Sequence, residues 1–324
     1  MPKYINIKSG RVNLALTVFV PWDCTKNCSF CTTKSLYKKE LASIRKIKSR
    51  MKSVLSKVSS IKDIVISGGE PLDNMDSLYQ IIKDVDKTRY NVYVNTSFPK
   101  VDRDSEIFRK ILAKVDGFNV SRHYGHNYSD FSTFDEIIAA VTSNARVRIN
   151  ILLNTHIEDM VDKDKFLEYI EDIKRYDYFD IQLRANYLKT STGTRSTFTL
   201  KDNDDKTSRY LIDTYGNKYG TNVHISGCNV CNSVLVVYNG YNTISFHKGV
   251  RFTLIDNSTY YEVNDIIVFP DGDIKLDWDG DAIDLKKIRD LDNRPVVTVK
   301  SKPKQEPSCY NTEPILANCG FRGC

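Results

Sequence analysis

The sequence has no apolar run near the ~18 residues that a membrane-spanning helix requires. Its first residues, Met1, Pro2, Lys3 and Tyr4, lack the apolar core of a secretory signal. A cytoplasmic protein without a membrane partner is the expectation. Eight cysteines among 324 residues are too few for a disulfide scaffold, and in a reducing compartment they read as metal ligands or catalysts. Acidic residues are scarce at one end. Residues 1–60 hold 13 Lys and Arg against only Asp23 and Glu40, so the net charge of +6 is a local basicity set against a mildly acidic remainder.

What is present is a globular chain, 41% hydrophobic and 27% charged, long enough for one large α/β domain with an extension. Short β-branched runs at 13–20, 63–67, 91–95, 117–121, 147–153 and 180–185 predict strands. Stretches of helical period lie between them at 36–58, 74–87, 104–114, 133–143 and 163–175. In the first of these, Leu41, Ile44, Ile47, Met51, Val54 and Val58 recur at three- and four-residue steps, which marks one buried helix face. Six strands alternating with five helices imply right-handed βαβ units and an all-parallel sheet. Residues 1–190 therefore read as a core and 191–324 as a C-terminal extension. In the extension, 188–207 reads as a connecting loop and 206–215 as a short helix. Hairpins are predicted at 234–247 and 266–278, within a small β-rich appendage over 216–284, followed by a Lys- and Pro-containing tail over 297–324. The Asp-rich run 271–284 departs from a calcium-loop pattern and reads as hairpin turns.

Directly after the first strand, Cys24, Cys28 and Cys31 form C-x3-C-x2-C. Three thiolates on a short loop can each ligate one iron of a [4Fe–4S] cluster and leave the fourth iron open. A structural zinc site would normally have four ligands in paired knuckles, and buried free thiols would not bunch in this way. Ser67, Gly68, Gly69, Glu70 and Pro71 follow the second strand. Adjacent glycines let the backbone approach a ligand closely, with a carboxylate beyond.

These two motifs, in this order and spacing, resemble those of the radical S-adenosylmethionine (SAM) superfamily, and the resemblance extends over the alternating pattern of 13–190. It implies a partial (βα)6 barrel of TIM type. It also implies that Cys24, Cys28 and Cys31 hold the cluster and that SAM chelates the open iron. Gly68, Gly69 and Glu70 would contact the methionyl amine, and Phe30 would lie near the adenine. Ligands of parallel barrels gather at the C-terminal ends of strands. Asn95, Ser121, Arg122, Asn150, Asn154, Gln182, Arg184 and Asn186 are accordingly candidate contacts to SAM or substrate. The implied chemistry is reductive cleavage of SAM to a 5′-deoxyadenosyl radical that abstracts hydrogen from a substrate.

Cys228 and Cys231 form a C-x2-C pair, and Cys309, Cys319 and Cys324 follow. A second metal, either an auxiliary iron–sulfur cluster or a zinc that His224 or His247 completes, is weighed against a knuckle and tail without metal. His123 and His126 follow the fourth strand, in an acid–base role or in a surface loop. Lys34, Lys38, Lys39, Arg45, Lys46, Lys48, Arg50, Lys52 and Lys57 decorate the first helix. They form a solvated face or a docking surface for a polyanion or an acidic reducing partner such as flavodoxin or ferredoxin. That local charge favours a nucleotide or modified nucleic-acid base as substrate, with a peptide, protein or other small molecule as the alternative. A non-catalytic iron–sulfur or zinc nucleic-acid-binding protein is a reading of another class. Gly68 to Pro71 argue against it, because binding alone needs no site for the SAM amine.

Overall fold

The structure is a computed structural model. It describes residues 5–9, 14–26, 31, 33–123, 127–141, 145–152, 163–176, 179–184, 187–192, 195–200, 226–227, 233–238, 242–247, 254–256, 260–263, 265–276 and 280–292. After β1 (Ile5–Ser9), the strands β2 (Leu14–Val20), β3 (Ile61–Gly68), β4 (Asn91–Thr96), β5 (Gly117–Ser121), β6 (Arg146–Leu152) and β7 (Phe179–Arg184) lie side by side in that order, all parallel. Between them run α1 (Ile44–Lys57), α2 (Met75–Ile82), α3 (Glu106–Leu112), α4 (Phe134–Val141) and α5 (Lys163–Lys174).

Strand periodicity divides this sheet into two faces. Leu16, Val18, Ile64, Ile66, Val92, Val94, Phe118, Val120, Val147, Ile149 and Ile181 join one apolar core with Ile47, Met51 and Val54 of α1 and with the inner residues of the other helices. The alternate positions carry Thr17, Ser67, Tyr93, Asn95, Asn119, Arg148, Asn150, Asp180 and Gln182 on the opposite face. There Asn95 donates to Ser67 Oγ at 3.2 Å and Asn119 donates to Asn95 Oδ1 at 2.8 Å, a polar ladder across three strands.

Helix ends follow their capping residues. Ser43 accepts from Lys46 N at the start of α1, and Thr133 and Glu136 cap α4 reciprocally. The Ser43 cap also explains a difference from expectation. The segment 36–58 is not one helix but a 3-10 turn, Lys34–Lys38, then an extended link, then α1.

Two further expectations are corrected. The six core strands are parallel as expected, but the two C-terminal hairpins extend their sheet at its edges and do not stand apart from it, so the sheet as a whole is mixed. On one edge β12 (Asn242–His247) pairs parallel to β7, with β11 (Ser233–Tyr238) and β10 (Ser226–Gly227) antiparallel beyond it. On the other, β15 (Asp265–Val268) pairs parallel to β2, with β16 (Ile274–Lys275) antiparallel beyond. The eleven-stranded sheet ends at β10 and β16, so no barrel is closed among the described residues. The second correction concerns 188–200, which is not a loop: β8 (Tyr187–Thr192) and β9 (Arg195–Leu200) form an antiparallel pair whose β-branched threonines suit a strand.

A small second sheet has the order β13 (Leu254–Asp256), β14 (Tyr261–Val263), β1, β17 (Ile288–Asp290). The expected helix near 206–215 and the tail 297–324 lie outside the described residues.

Candidate metal centre

The chain leaves β2 at Val20 and enters a loop that is tied at every described step. Trp22 Nε1 donates to the Glu70 carbonyl at 2.9 Å, and Asp23 Oδ1 accepts from Cys24 N at 2.7 Å. Asp73 accepts from both Thr25 N and Thr25 Oγ1 at 3.2 and 3.0 Å. The Cys24 sulfur itself accepts from Lys26 N at 3.3 Å, and Cys31 Sγ lies 3.4 Å from Thr33 Oγ1. Neither cysteine is in a disulfide among the described residues; Cys24 is half-buried and Cys31 exposed. An N–H at the Cys24 sulfur and a hydroxyl beside the Cys31 sulfur are the outer-sphere support that a metal-bound thiolate uses, so these two residues fit an iron–sulfur cluster. Cys28 and Phe30 lie outside the described residues, and among the described residues no group of three ligating side chains forms.

The two glycines after β3 are needed by the loop they carry. A Cβ on Gly69 would stand 2.3 Å from the Trp22 carbonyl oxygen and 2.8 Å from Cys24 N. A Cβ on Gly68, whose φ is +109°, would stand 2.0 Å from the Tyr37 hydroxyl. That hydroxyl accepts from Gly69 N at 2.6 Å and donates to the Val20 carbonyl at 3.2 Å, which locks the exits of β2 and β3 together. Burial raises the Tyr37 pKa well above its ordinary value, so the phenol stays a donor. Sequence reasoning missed Tyr37, because a tyrosine six residues beyond the last cysteine carries no motif.

Glu70 is 2% exposed, and its carboxylate is turned into the protein. One oxygen accepts from Leu72 N at 3.0 Å and from Thr96 Oγ1; the other accepts from Ser97 N and Ser97 Oγ at 2.7 and 2.6 Å. Burial raises its pKa, and the donors from Ser97, Thr96 and Leu72 pull the other way. Arg122, 4% exposed, grips the other side of the same turn. Its guanidinium donates to the carbonyls of Ser97, Ser121 (2.9 Å) and Ser132 (2.8 Å), and it stacks 4.8 Å over the Tyr128 ring. Burial lowers the Arg122 pKa to about 10, still a cation near neutrality. Phe98, which follows Ser97 in this turn and donates its N–H to Thr96 Oγ1 at 2.8 Å, is held at φ +54°.

The remaining candidates distribute along the same end of the sheet. Asn150 is 8% exposed, and its Oδ1 has no hydrogen-bond partner among the described residues, as is true of Asn119 Oδ1. A buried acceptor left unpaired costs about 1–3 kcal/mol, which a ligand donor would relieve. Asn150 lies opposite Ser121 on one side and Gln182 on the other. Arg184 ends β7 opposite Leu152, and His247 of β12 is its other neighbour. His123 N donates to the Tyr128 hydroxyl at 2.7 Å. His126, Asn154, Asn186, His224, Cys228, Cys231, Cys309, Cys319 and Cys324 lie outside the described residues.

A model of the 4Fe-4S single cluster domain matches residues 10–137, from just before β2 to within α4. No curated protein matches the sequence. Among solved structures, Streptococcus suis SuiB bound to the precursor peptide SuiA is 13% identical with a TM-score of 0.52, over 86% of this chain and 63% of that one. SuiB bound to S-adenosylmethionine is 12% identical with a TM-score of 0.50, over 81% and 59%. The chain thus spans less than two thirds of the SuiB chains. Its fold is theirs, and no helix among the described residues is long and apolar enough to cross a membrane. The 4Fe-4S single cluster domain model thus matches the part of the chain that carries Cys24, Cys28 and Cys31, and the likeness to SuiB is one of fold.

Proposed function

We propose that the chain holds a [4Fe–4S] cluster through Cys24, Cys28 and Cys31, binds SAM beside it, and uses the pair to take a hydrogen atom from a peptide substrate. The observation that carries this reading is the interlock of the two motifs, in which Gly69 admits the backbone of the cysteine loop at a separation no side chain would allow. When bound, the cluster and SAM supply one-electron reductive cleavage to a 5′-deoxyadenosyl radical. The chain's residues bind, orient and exclude water.

Tyr37, Gly68 and Gly69 fix the cysteine loop on the exit of β3. Glu70 and Arg122 act as positioning residues for the turn after β4, because their polar atoms are spent on protein partners. SAM contacts fall to Asn95, Ser121, Asn150 and Arg184 at the strand ends and to Phe30 beside the cluster. The unpaired Asn150 Oδ1 is an acceptor for the amine or a ribose hydroxyl. Residues 1–190 are assigned to the cofactor, and 191–324 to substrate recognition. A second metal on Cys228 and Cys231 with the tail cysteines belongs to the same proposal.

A peptide is preferred over a nucleotide for two reasons. One fold neighbour is a complex with a precursor peptide. The basic residues of α1, which favoured a nucleotide, lie off the buried stripe of Ile47, Met51 and Val54, with Arg45 and Lys52 opposite it. Anaerobic reconstitution with deuterated peptide and nucleotide pools tests this. Deuterium entering 5′-deoxyadenosine from the peptide pool is expected, and transfer from nucleotides alone overturns the substrate assignment.

A further inference from the structure

The outer face of α1 is strongly cationic. The helix Ile44–Lys57 carries six cations and no acid, with Arg45 and Lys46 in its first turn, where the helix dipole disfavours positive charge. Helix stability does not account for that pattern. The pairing is also incomplete. Asp84 alone answers both Lys48 and Lys52, at 2.8 and 3.0 Å, and Lys46 is tied to the Asp271 carbonyl. Arg45 is exposed, and its side chain makes no hydrogen bond or ion pair among the described residues. Three serines shape the surface between these cations. Ser53 Oγ donates back to the Ser49 carbonyl and Ser56 Oγ to the Ser53 carbonyl, both at 2.9 Å, so no long side chain fills the space. The result is a trough of about 470 Å³ lined by Arg45, Lys48, Ser49, Lys52, Ser53 and Ser56.

We propose that this trough docks an acidic electron-carrier protein that reduces the cluster. The inference rests on the cluster assignment above and adds the route by which the electron arrives. In sequence, Lys34 and Lys38 stand between the cysteine loop and α1, and Lys26 within the loop is paired with Asp130 at 3.3 Å. A local cationic field of this kind steers an acidic protein to one face. A nucleic-acid substrate would have to reach the polar face of the sheet, and the trough is on the other side of the helix from the sheet. In the transfer, an anionic flavin hydroquinone becomes the neutral semiquinone, one electron lowers the cluster from the 2+ to the 1+ state, and no proton moves.

The probe is flavodoxin, and the variant is Arg45→Glu with Ser49→Glu. Arg45→Glu places a carboxylate in the first turn, where the helix dipole favours it, and each of the two carboxylates stands three residues before a lysine, Lys48 or Lys52, which offsets their mutual repulsion, so folding is retained. Flavodoxin affinity, measured by titration of the reconstituted protein at low salt, is expected to fall at least tenfold. The difference should vanish near 1 M salt, where charges are screened within ~3 Å. Asp84→Asn should tighten binding by freeing Lys48 and Lys52. SAM cleavage driven by dithionite should be the same in all variants. If dithionite supports no cleavage even in the parent, the cluster reading fails, and the affinity data still decide the docking site. Unchanged flavodoxin affinity in the Glu variant overturns the proposal. So does an oligonucleotide that binds the parent and not the variant while flavodoxin binds both alike.

Discussion

The Glu70 carboxylate accepts both the backbone N–H and the hydroxyl of Ser97, at 2.7 and 2.6 Å, so the exits of β3 and β4 move as one body. Glu70→Gln keeps the size but turns an amide nitrogen towards a donor. A buried donor left facing another donor costs about 1–3 kcal/mol, and a loss of that order is expected in urea unfolding. A variant as stable as the parent would show that the carboxylate is not the clamp.

The same residue sets a pH dependence. Burial raises the Glu70 pKa above its ordinary 4.5 against the pull of its donors. A carboxyl shifted upward contributes its full stability below the unfolded value and loses it as pH rises through the folded value. The advantage of the parent over Glu70→Gln should therefore be largest near pH 4 and shrink towards neutrality. An advantage that grows with pH would mean that the donors outweigh burial.

Tyr37 joins β2 to β3 through one hydroxyl. Tyr37→Phe leaves the Gly69 N–H and the Val20 carbonyl without it, at about 1–3 kcal/mol. Iron in the reconstituted variant should be lost to a chelator faster than in the parent. Gly69→Ala forces a Cβ against Trp22 and Cys24 and should cost about 1–3 kcal/mol by overpacking, with poorer cluster retention. Normal iron retention in both variants would show that the interlock does not position the cysteines.

Phe98 sets two effects against each other. Its φ of +54° costs a non-glycine residue about 1–2 kcal/mol. Its fully buried ring packs edge-on to Phe118 and Phe108, at centroid distances of 5.4 and 6.3 Å, and removing such a ring costs about 3–5 kcal/mol. Phe98→Gly should therefore be net destabilising in thermal unfolding. A raised melting temperature would mean that backbone strain dominates.

Much of the core was legible because its signals are local. The strand at 117–121 falls where periodicity puts it, and β2, β3, β4, β6 and β7 differ by a residue or two at their ends. What was not legible depends on contacts distant in sequence. Ile5–Ser9 pairs with strands more than 250 residues away, and Tyr187–Leu200 lacks the apolar alternation that marks a strand. The merging of both hairpins into the main sheet is set by strand edges that no local pattern announces. At the candidate site the cysteines and glycines were readable from their spacing. The inward turn of Glu70 and Arg122 was not, because a motif names a residue and leaves its hydrogen-bond partners open.

The most direct test is reductive cleavage of SAM by anaerobically reconstituted protein, with dithionite as reductant, in the parent and in Cys24→Ala, Cys28→Ala and Cys31→Ala. The account predicts 5′-deoxyadenosine from the parent and none above background from any of the three. Formation of 5′-deoxyadenosine at the parent rate by any one of these variants would contradict it.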